Sequence, residues 1–150
     1  MSREQGSKHF DCIELVPELQ LIAKLERMIF GKSRISEDKL DYINQRSALL
    51  LVVAEEGQHI GFKLGYHLPE QDRFFSWLGG VHPDHRRQGV AQALLEKQEE
   101  IIRARGVSRI YFTTFDRFPA MIQLGLKSGY ELVHKQLDDG EMKYWYEKAL

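Results

Sequence analysis

The residues with the most chemical content lie between Gly79 and Ala91, in the run GGVHPDHRRQGVA. Val81 ends a strand-like stretch, Pro83 and Asp84 turn the chain, and an apolar helix starts near Gln88. In the first turn of a helix the main-chain N–H groups have no partner within it, and the helix dipole adds positive potential beside them. Such a turn is suited to a phosphate or diphosphate. Gly80 and Gly89 let the backbone approach the ligand closely, the N–H groups from Gly89 through Val90 and Ala91 are the donors, and Arg86 and Arg87 beside Gln88 add mobile positive charge. Two familiar phosphate loops are absent, since the chain has neither G-x-G-x-x-G nor G-x-x-x-x-G-K followed by Ser or Thr.

Elsewhere the chemistry is sparse. Cys12 is the single cysteine, which excludes an internal disulfide, and with no His pair at ligand spacing no metal site is expected. Cys12 reads as a buried structural thiol. His59 and His67 share a strand face too far apart for a metal pair, while His82, His85 and His134 read as solvent-facing. With 21 basic and 22 acidic side chains and a net charge of -1, the chain has no polyanion-binding balance. Nucleic acid and membrane surfaces are therefore not expected partners, and any anion site must be local. The start MSREQGSKHF has no hydrophobic leader, and no apolar run approaches the ~20 residues of a membrane span, which together predict a cytoplasmic protein.

The elements that must position these residues follow from periodicity. At 150 residues the chain fits a single domain, 1–150, with no repeats or linker. Phe10 to Leu15 reads as a strand, and Pro17 opens a helix to Phe30, closed by Gly31. Ser36, followed by Glu37 and Asp38, caps a second helix through about Arg46. Ala48 to Ala54 is an apolar strand that turns at 55–58 into an alternating one. There Ile60, Phe62, Leu64, Tyr66 and Leu68 share one face, and Gly61, Lys63, Gly65 and His67 share a wetter or narrower one. Asp72 to Val81 completes an antiparallel meander, in which Gly79-Gly80 also reads as a bulge. The helix from about Gln88 to Arg105 buries Val90, Ala91, Leu94, Leu95, Ile101 and Ile102 and shows a Glu99–Arg103 pair to solvent. It forms a right-handed crossover to the parallel strand Ser108 to Phe115. Pro119 to Ser128 is a short helix, and Tyr130–Gln136 and Met142–Glu147 form a terminal hairpin.

The segment Arg86 to Ala91, R-x-x-G-x-A after a V-x-P strand end, resembles the acyl-CoA-binding loop of the GNAT superfamily of N-acetyltransferases. That loop is written as Gln or Arg, two free positions, Gly, one free position, then Gly or Ala. The element order β-α-α-β-β-β-α-β-α-β-β is also the family's, over essentially the whole chain. The resemblance implies an α/β fold (α+β by some schemes) with a mixed, mostly antiparallel sheet whose central parallel pair is splayed. It implies acetyl-CoA as cosubstrate, a primary amine as acceptor, and direct attack in a ternary complex. Gly79 and Val81 would then offer main-chain groups to the pantetheine and the acetyl oxygen, and one oriented N–H on a developing oxyanion is worth ~3–4 kcal/mol in other enzymes.

The chain departs from the family where acid and base are usual. Phe75 and Trp77 stand at the inward places where a His or Glu often serves as base, Gly125 stands where a Tyr often protonates the leaving thiolate, and Phe118 where an Asn is common. Proton transfer is then open to Glu55 or Glu56 through water, or to Tyr66, Asp116, Tyr144 or Tyr146. The tyrosines also read as cleft-wall aromatics, and Asp116 as a helix cap. The acceptor would enter between the early helices and the terminal hairpin, where Glu37, Asp38, Asp41, Glu55 and Glu56 would draw a cationic amine. Two other readings fit the same residues: an acyl-CoA sensor with little turnover, and a nucleotide-binding α/β domain. The edge of the terminal hairpin leaves room for a homodimer.

Overall fold

The computed structural model describes residues 9–150; Met1–Lys8, on most of which the expectation about a leader rests, lies outside the described residues. Seven strands form one sheet in the order β1-β2-β3-β4-β5-β7-β6. They are β1 (Ile13–Leu15), β2 (Leu49–Glu55), β3 (Gln58–Leu68), β4 (Arg73–Val81), β5 (Arg109–Phe115), β6 (Glu131–Asp138) and β7 (Glu141–Ala149). Among the described residues four α-helices cover it: α1 (Leu19–Phe30), α2 (Glu37–Asn44), α3 (Val90–Ala104) and α4 (Pro119–Lys127). All neighbouring strands are antiparallel except β4 and β5. The element order and the parallel pair match the expectation.

β2 explains why the sheet is a central layer. Its run Leu49 to Val53 is buried on both faces. Leu49, Leu51 and Val53 pack with Val90, Leu94, Leu95 and Ile102 of α3, while Leu50 and Val52 pack with Ile22, Leu25 and Ile43 of α1 and α2. Each such side chain contributes ~1.5–3 kcal/mol by leaving water, so the apolar run fixes a three-layer stack.

α1 starts at Leu19, two residues after Pro17, because Glu18 is still extended. Gly31 ends it in the left-handed conformation, its N–H bonded to the Arg27 carbonyl at 3.0 Å. The buried Glu26 carboxylate then ties down the connection to α2, accepting from Ser33 Oγ (2.9 Å) and from the N–H groups of Arg34 and Ile35 (3.2 and 3.1 Å). Ser36 caps α2 as expected, its hydroxyl accepting from the Lys39 N–H at 3.1 Å.

Two bulges alter the expected faces. Ala54 pairs with His59 and Val53 with Gly61, so Ile60 is an extra residue and joins the α3-side core, apart from Phe62, Leu64 and Tyr66 on the α1/α2 side. Leu64 pairs with Leu78 and Gly65 with Ser76, so the bulge in β4 falls at Trp77 and not at Gly79-Gly80. The face of Gly61, Lys63 and Gly65 is narrow and buried, with Lys63 only 8% exposed.

α3 corrects a further expectation. Glu99 is buried rather than paired with Arg103 in water; it accepts from Tyr130 Oη at 2.7 Å and Lys148 Nζ at 2.9 Å. Ala91 is exposed. The helix is rotated so that Val90, Leu94, Leu95, Gln98, Glu99 and Ile102 face the sheet, because the ion pair and hydroxyl supplied by distant strands make a buried carboxylate tolerable.

Candidate active site

The site begins where β4 and β5 separate. Their ladder has three rungs, Arg73 with Arg109, Phe74 with Ile110 and Phe75 with Tyr111, after which β4 continues to Val81 along β3 and β5 to Phe115 along β7 without pairing to each other. At the last rung the rings of Phe75 and Tyr111 stack nearly flat, 4.7 Å between centroids and 7° between planes. The Trp77 bulge then redirects β4. The result is a wedge that opens toward the carboxyl ends of both strands.

The turn after β4 sits at the wedge's mouth. His82 caps a short 3₁₀ turn over Pro83–His85, its Nδ1 accepting from the Asp84 N–H at 3.0 Å. Arg86 Nε donates to the Val81 carbonyl at 3.0 Å, so this guanidinium braces the turn from within. Arg87 and Gly89 both have positive φ, 64° and 94°. For Arg87 that conformation is uncommon and costs free energy, whereas Gly89 takes it without strain. A Cβ on Gly89 would meet nothing within 4 Å. The first main-chain bond of α3 runs from the Ala93 N–H to the Gly89 carbonyl, at 3.0 Å. The N–H groups of Val90, Ala91 and Gln92 therefore precede any intrahelical bond, at a turn whose Arg87, Gln88 and Gly89 are exposed.

Gly79 and Gly80 serve packing as well as access. A Cβ on Gly80 would lie 2.5 Å from Ile29 Cγ2 of α1, and one on Gly79 would lie 2.8 Å from the Phe62 carbonyl oxygen. Their bare backbone lets α1 and β3 close on β4. A groove of about 480 Å³ meets the turn at Gln88 and Gly89 but follows the outer flank of α3 toward Phe10 and Cys12, away from the wedge. Cys12 is half-buried there, and burial pushes its thiol pKa up.

The acid–base candidates fall in three places. Glu55, at the end of β2, lies 3.8 Å from His85 Nδ1 and so belongs to the turn, two strands from β4. Tyr66 is buried on the α1/α2 side, where burial, and then Tyr42 and Tyr111, push its pKa up to about 12. Its hydroxyl accepts from Lys39 Nζ at 3.4 Å. Asp116 and Tyr144 come together at the end of β5, and their hydrogen bond is the main cause raising the Tyr144 pKa. Tyr144 packs on the α3/α4 side of the sheet. Tyr146 is buried, stacked on Phe112 at 5.4 Å.

Residues 19–130 match the family described as Acetyltransferase (GNAT) family. The chain belongs to this family. Among GNAT relatives, Acetyltransferase ECA0875 of Pectobacterium atrosepticum is 32% identical over 91 residues, 61% of this chain and 63% of its own. Acetyltransferase SG1711 of Sodalis glossinidius is 31% identical over 90 residues, 60% of this chain and 62% of its own. The match thus spans just under two thirds of these relatives' length. In fold, the GNAT chain is similar to the Escherichia coli ribosomal-protein-S18-alanine N-acetyltransferase (TM-score 0.78, 18% identity, 94% of each chain). It is also similar to Ard1 from Thermoplasma volcanium (TM-score 0.79, 16% identity, 94% and 97% of the two chains).

The structure supplies a physical reason for one departure from the GNAT pattern. A Cβ on Gly125 would lie 2.5 Å from Phe112 Cζ and 2.9 Å from Cε1, so the Phe112 ring fills the space that a side chain at 125 would need. Two features of this GNAT site were missed in sequence. Lys63 is a buried cation on β3 opposite Gly79, with its pKa lowered to about 8, first by burial and opposed by the attraction of Glu99. Its flanking Gly61 and Gly65 were the available signal of a narrow, covered face. Lys39 stands among three aromatic rings drawn from α2, β3 and β4, a gathering that no local pattern announces. Among the described residues no three His, Cys, Asp or Glu side chains gather as a metal group, and no helix is long and apolar enough to cross a membrane.

Proposed function

We propose that residues 1–150 form one cytoplasmic acetyltransferase domain that moves an acetyl group from acetyl-CoA to a primary amine by direct attack in a ternary complex. The observation that carries this reading is the loss of β4–β5 pairing after Phe75 and Tyr111, beside a turn whose helix-start amides precede any intrahelical bond. A narrow acyl arm needs such a gap, and a diphosphate needs such a turn. In this reading the amides of Arg87 to Ala91 hold the diphosphate. Arg87 is the outward cation of the turn, since Arg86 is engaged with Val81. The backbone of Gly79 and Val81 faces the acyl arm. Acetyl-CoA supplies an activated thioester. The neutral amine bonds to its carbonyl carbon, the C–S bond breaks, and the thiolate takes up the proton that the amine loses.

An alkylamine with pKa near ~10 is mostly ammonium at neutral pH, so a proton must leave before attack. Phe75 and Trp77 cannot take it. The Tyr144–Asp116 pair is our candidate for the acid that serves the thiolate, because it stands beside the end of β5 that has parted from β4, on the side of α3 and α4, and the Asp116 carboxylate keeps the Tyr144 hydroxyl protonated. A homodimer through the exposed edge strand β6 belongs to this reading.

The test is release of free thiol from acetyl-CoA with a panel of amines, alongside thermal stabilisation by CoA. Thiol release with at least one amine, and stabilisation by CoA but not by ATP or NAD, are expected. Gly89→Glu places a carboxylate in the turn with room around it, at the cost of a strained φ, and should weaken CoA by at least about tenfold, ~1.4 kcal/mol, while the fold survives. Undiminished CoA binding in folded Gly89→Glu overturns the placement. The second reading, an acyl-CoA sensor, is favoured by Phe112 occupying the place of the usual acid; CoA stabilisation without thiol release from any amine would establish it.

A further inference from the structure

Lys39 projects from the first turn of α2 into a space bounded by aromatic rings. Its Nζ lies 4.5 Å from the ring centre of Trp77, 4.9 Å from that of Tyr42 and 5.1 Å from that of Tyr66, with the Tyr66 hydroxyl at 3.4 Å. Among the described residues no carboxylate lies within ion-pair distance of it. Arg46, whose guanidinium stacks on Tyr42 at 3.7 Å, repels the ammonium. The ammonium is therefore held by ring faces rather than by a counter-ion, which is the geometry that binds alkylammonium ligands.

The position of this cage relates it to the wedge. Trp77 is the bulged residue of β4, just past the last β4–β5 rung, and Tyr66 packs edge-on against Phe75 of that rung, 5.6 Å between centroids. Tyr66, Phe75 and Trp77 all pack on the α1/α2 side of the sheet, whereas α3 lies on the other. An acceptor must approach the thioester from the side that the carrier leaves open, and the cage stands on that side. Lys39 itself is half-buried, so its flexible stem can swing to solvent and vacate the rings.

We propose that the rings of Tyr42, Tyr66 and Trp77 form the subsite for the acceptor's ammonium group, and that Lys39 fills it in the free protein as a tethered competitor. The acceptor class follows from the resident: a primary alkylammonium on an unbranched methylene stem, as in a lysine side chain or a simple alkylamine. The inference rests on the acetyltransferase reading for its meaning but not for its test. A tethered occupant competes at an effective concentration in the millimolar range, so removing it should tighten binding of a free ammonium.

Trp77 is one of two tryptophans, so Trp145→Phe leaves it as the only fluorophore of its kind. In that protein n-butylammonium should change Trp77 emission saturably, and n-butanol should not. Adding Lys39→Met, which keeps the stem length and removes the charge, should tighten n-butylammonium at least about tenfold. The same variant should lower KM for n-butylamine in the thiol assay, with kcat within about twofold. Equal affinity with and without Lys39, or equal response to n-butanol, overturns the proposal. The Trp145→Phe titration with Lys39 intact decides the charge dependence even if the double variant fails to fold. Saturable ammonium binding without thiol release refutes the transferase reading alone, and thiol release with a silent Trp77 refutes the cage alone.

Discussion

Lys63 carries a cost that can be measured. Its side chain is 8% exposed on β3, and burial lowers its pKa from 10.5 to about 8. That difference corresponds to about 3 kcal/mol at ~1.4 kcal/mol per pH unit. The sign is destabilising: below pH 8 both folded and unfolded chains carry the ammonium, and the folded chain bears the full penalty. Above about 10.5 neither chain carries it, and between the two values stability rises with pH because the unfolded chain binds the extra proton. Lys63→Met keeps the stem and removes the charge. Glu99 retains Tyr130 and Lys148 as partners. Urea unfolding should show the variant more stable at pH 6.5 by up to about 3 kcal/mol, with the gap narrowing to about 1 kcal/mol at pH 9.5. Parallel stability–pH curves, or a less stable variant at pH 6.5, would refute the reasoning. A stabilised variant that also binds CoA more weakly would show that the buried charge is kept for the ligand.

Two other substitutions test the site. Gly125→Ala pits helix propensity, which favours Ala by about 1 kcal/mol, against a Cβ placed 2.5 Å from a Phe112 ring that is itself 2% exposed and packed between Tyr130 and Tyr146. Overpacking of ~1–3 kcal/mol should win, giving a lower urea midpoint; a rise would mean that Phe112 moves freely. Tyr144→Phe should lower kcat for thiol release by about 10²-fold or more while KM for acetyl-CoA stays within about twofold. Asp116→Asn should give a smaller loss, because Asp116 acts through the tyrosine it bonds. An unchanged kcat in Tyr144→Phe removes the pair from the reaction.

Local chemistry explains why much of the fold was legible. Ser36 and Gly31 mark helix ends with their own side-chain or backbone geometry, and the amide turn from Arg86 to Ala91 depends on φ angles that Gly89 adopts and on a helix that starts beside it. The apolar run of β2 announces a strand covered on both faces. Faces and partners were less legible where an extra residue enters a ladder. The bulges at Ile60 and Trp77 each shift the alternation by one, which a strict period of two cannot anticipate. Glu99 misled for a related reason, since the groups that satisfy it lie 31 and 49 residues away.

By itself the sequence determined the order and kind of the elements, the glycine and serine that end or cap the early helices, and the strand–turn–helix on which the proposed diphosphate site rests. Those properties arise from torsional preference, periodicity and side-chain chemistry, which act between neighbours in the chain. Only the tertiary structure decided that β4 parts from β5 after three rungs, that Phe112 fills the space at Gly125, that Tyr144 meets Asp116, and that Lys39 lies among Tyr42, Tyr66 and Trp77. These are contacts between elements distant in sequence, set by how the layers pack, and the chemistry proposed for the site depends on them.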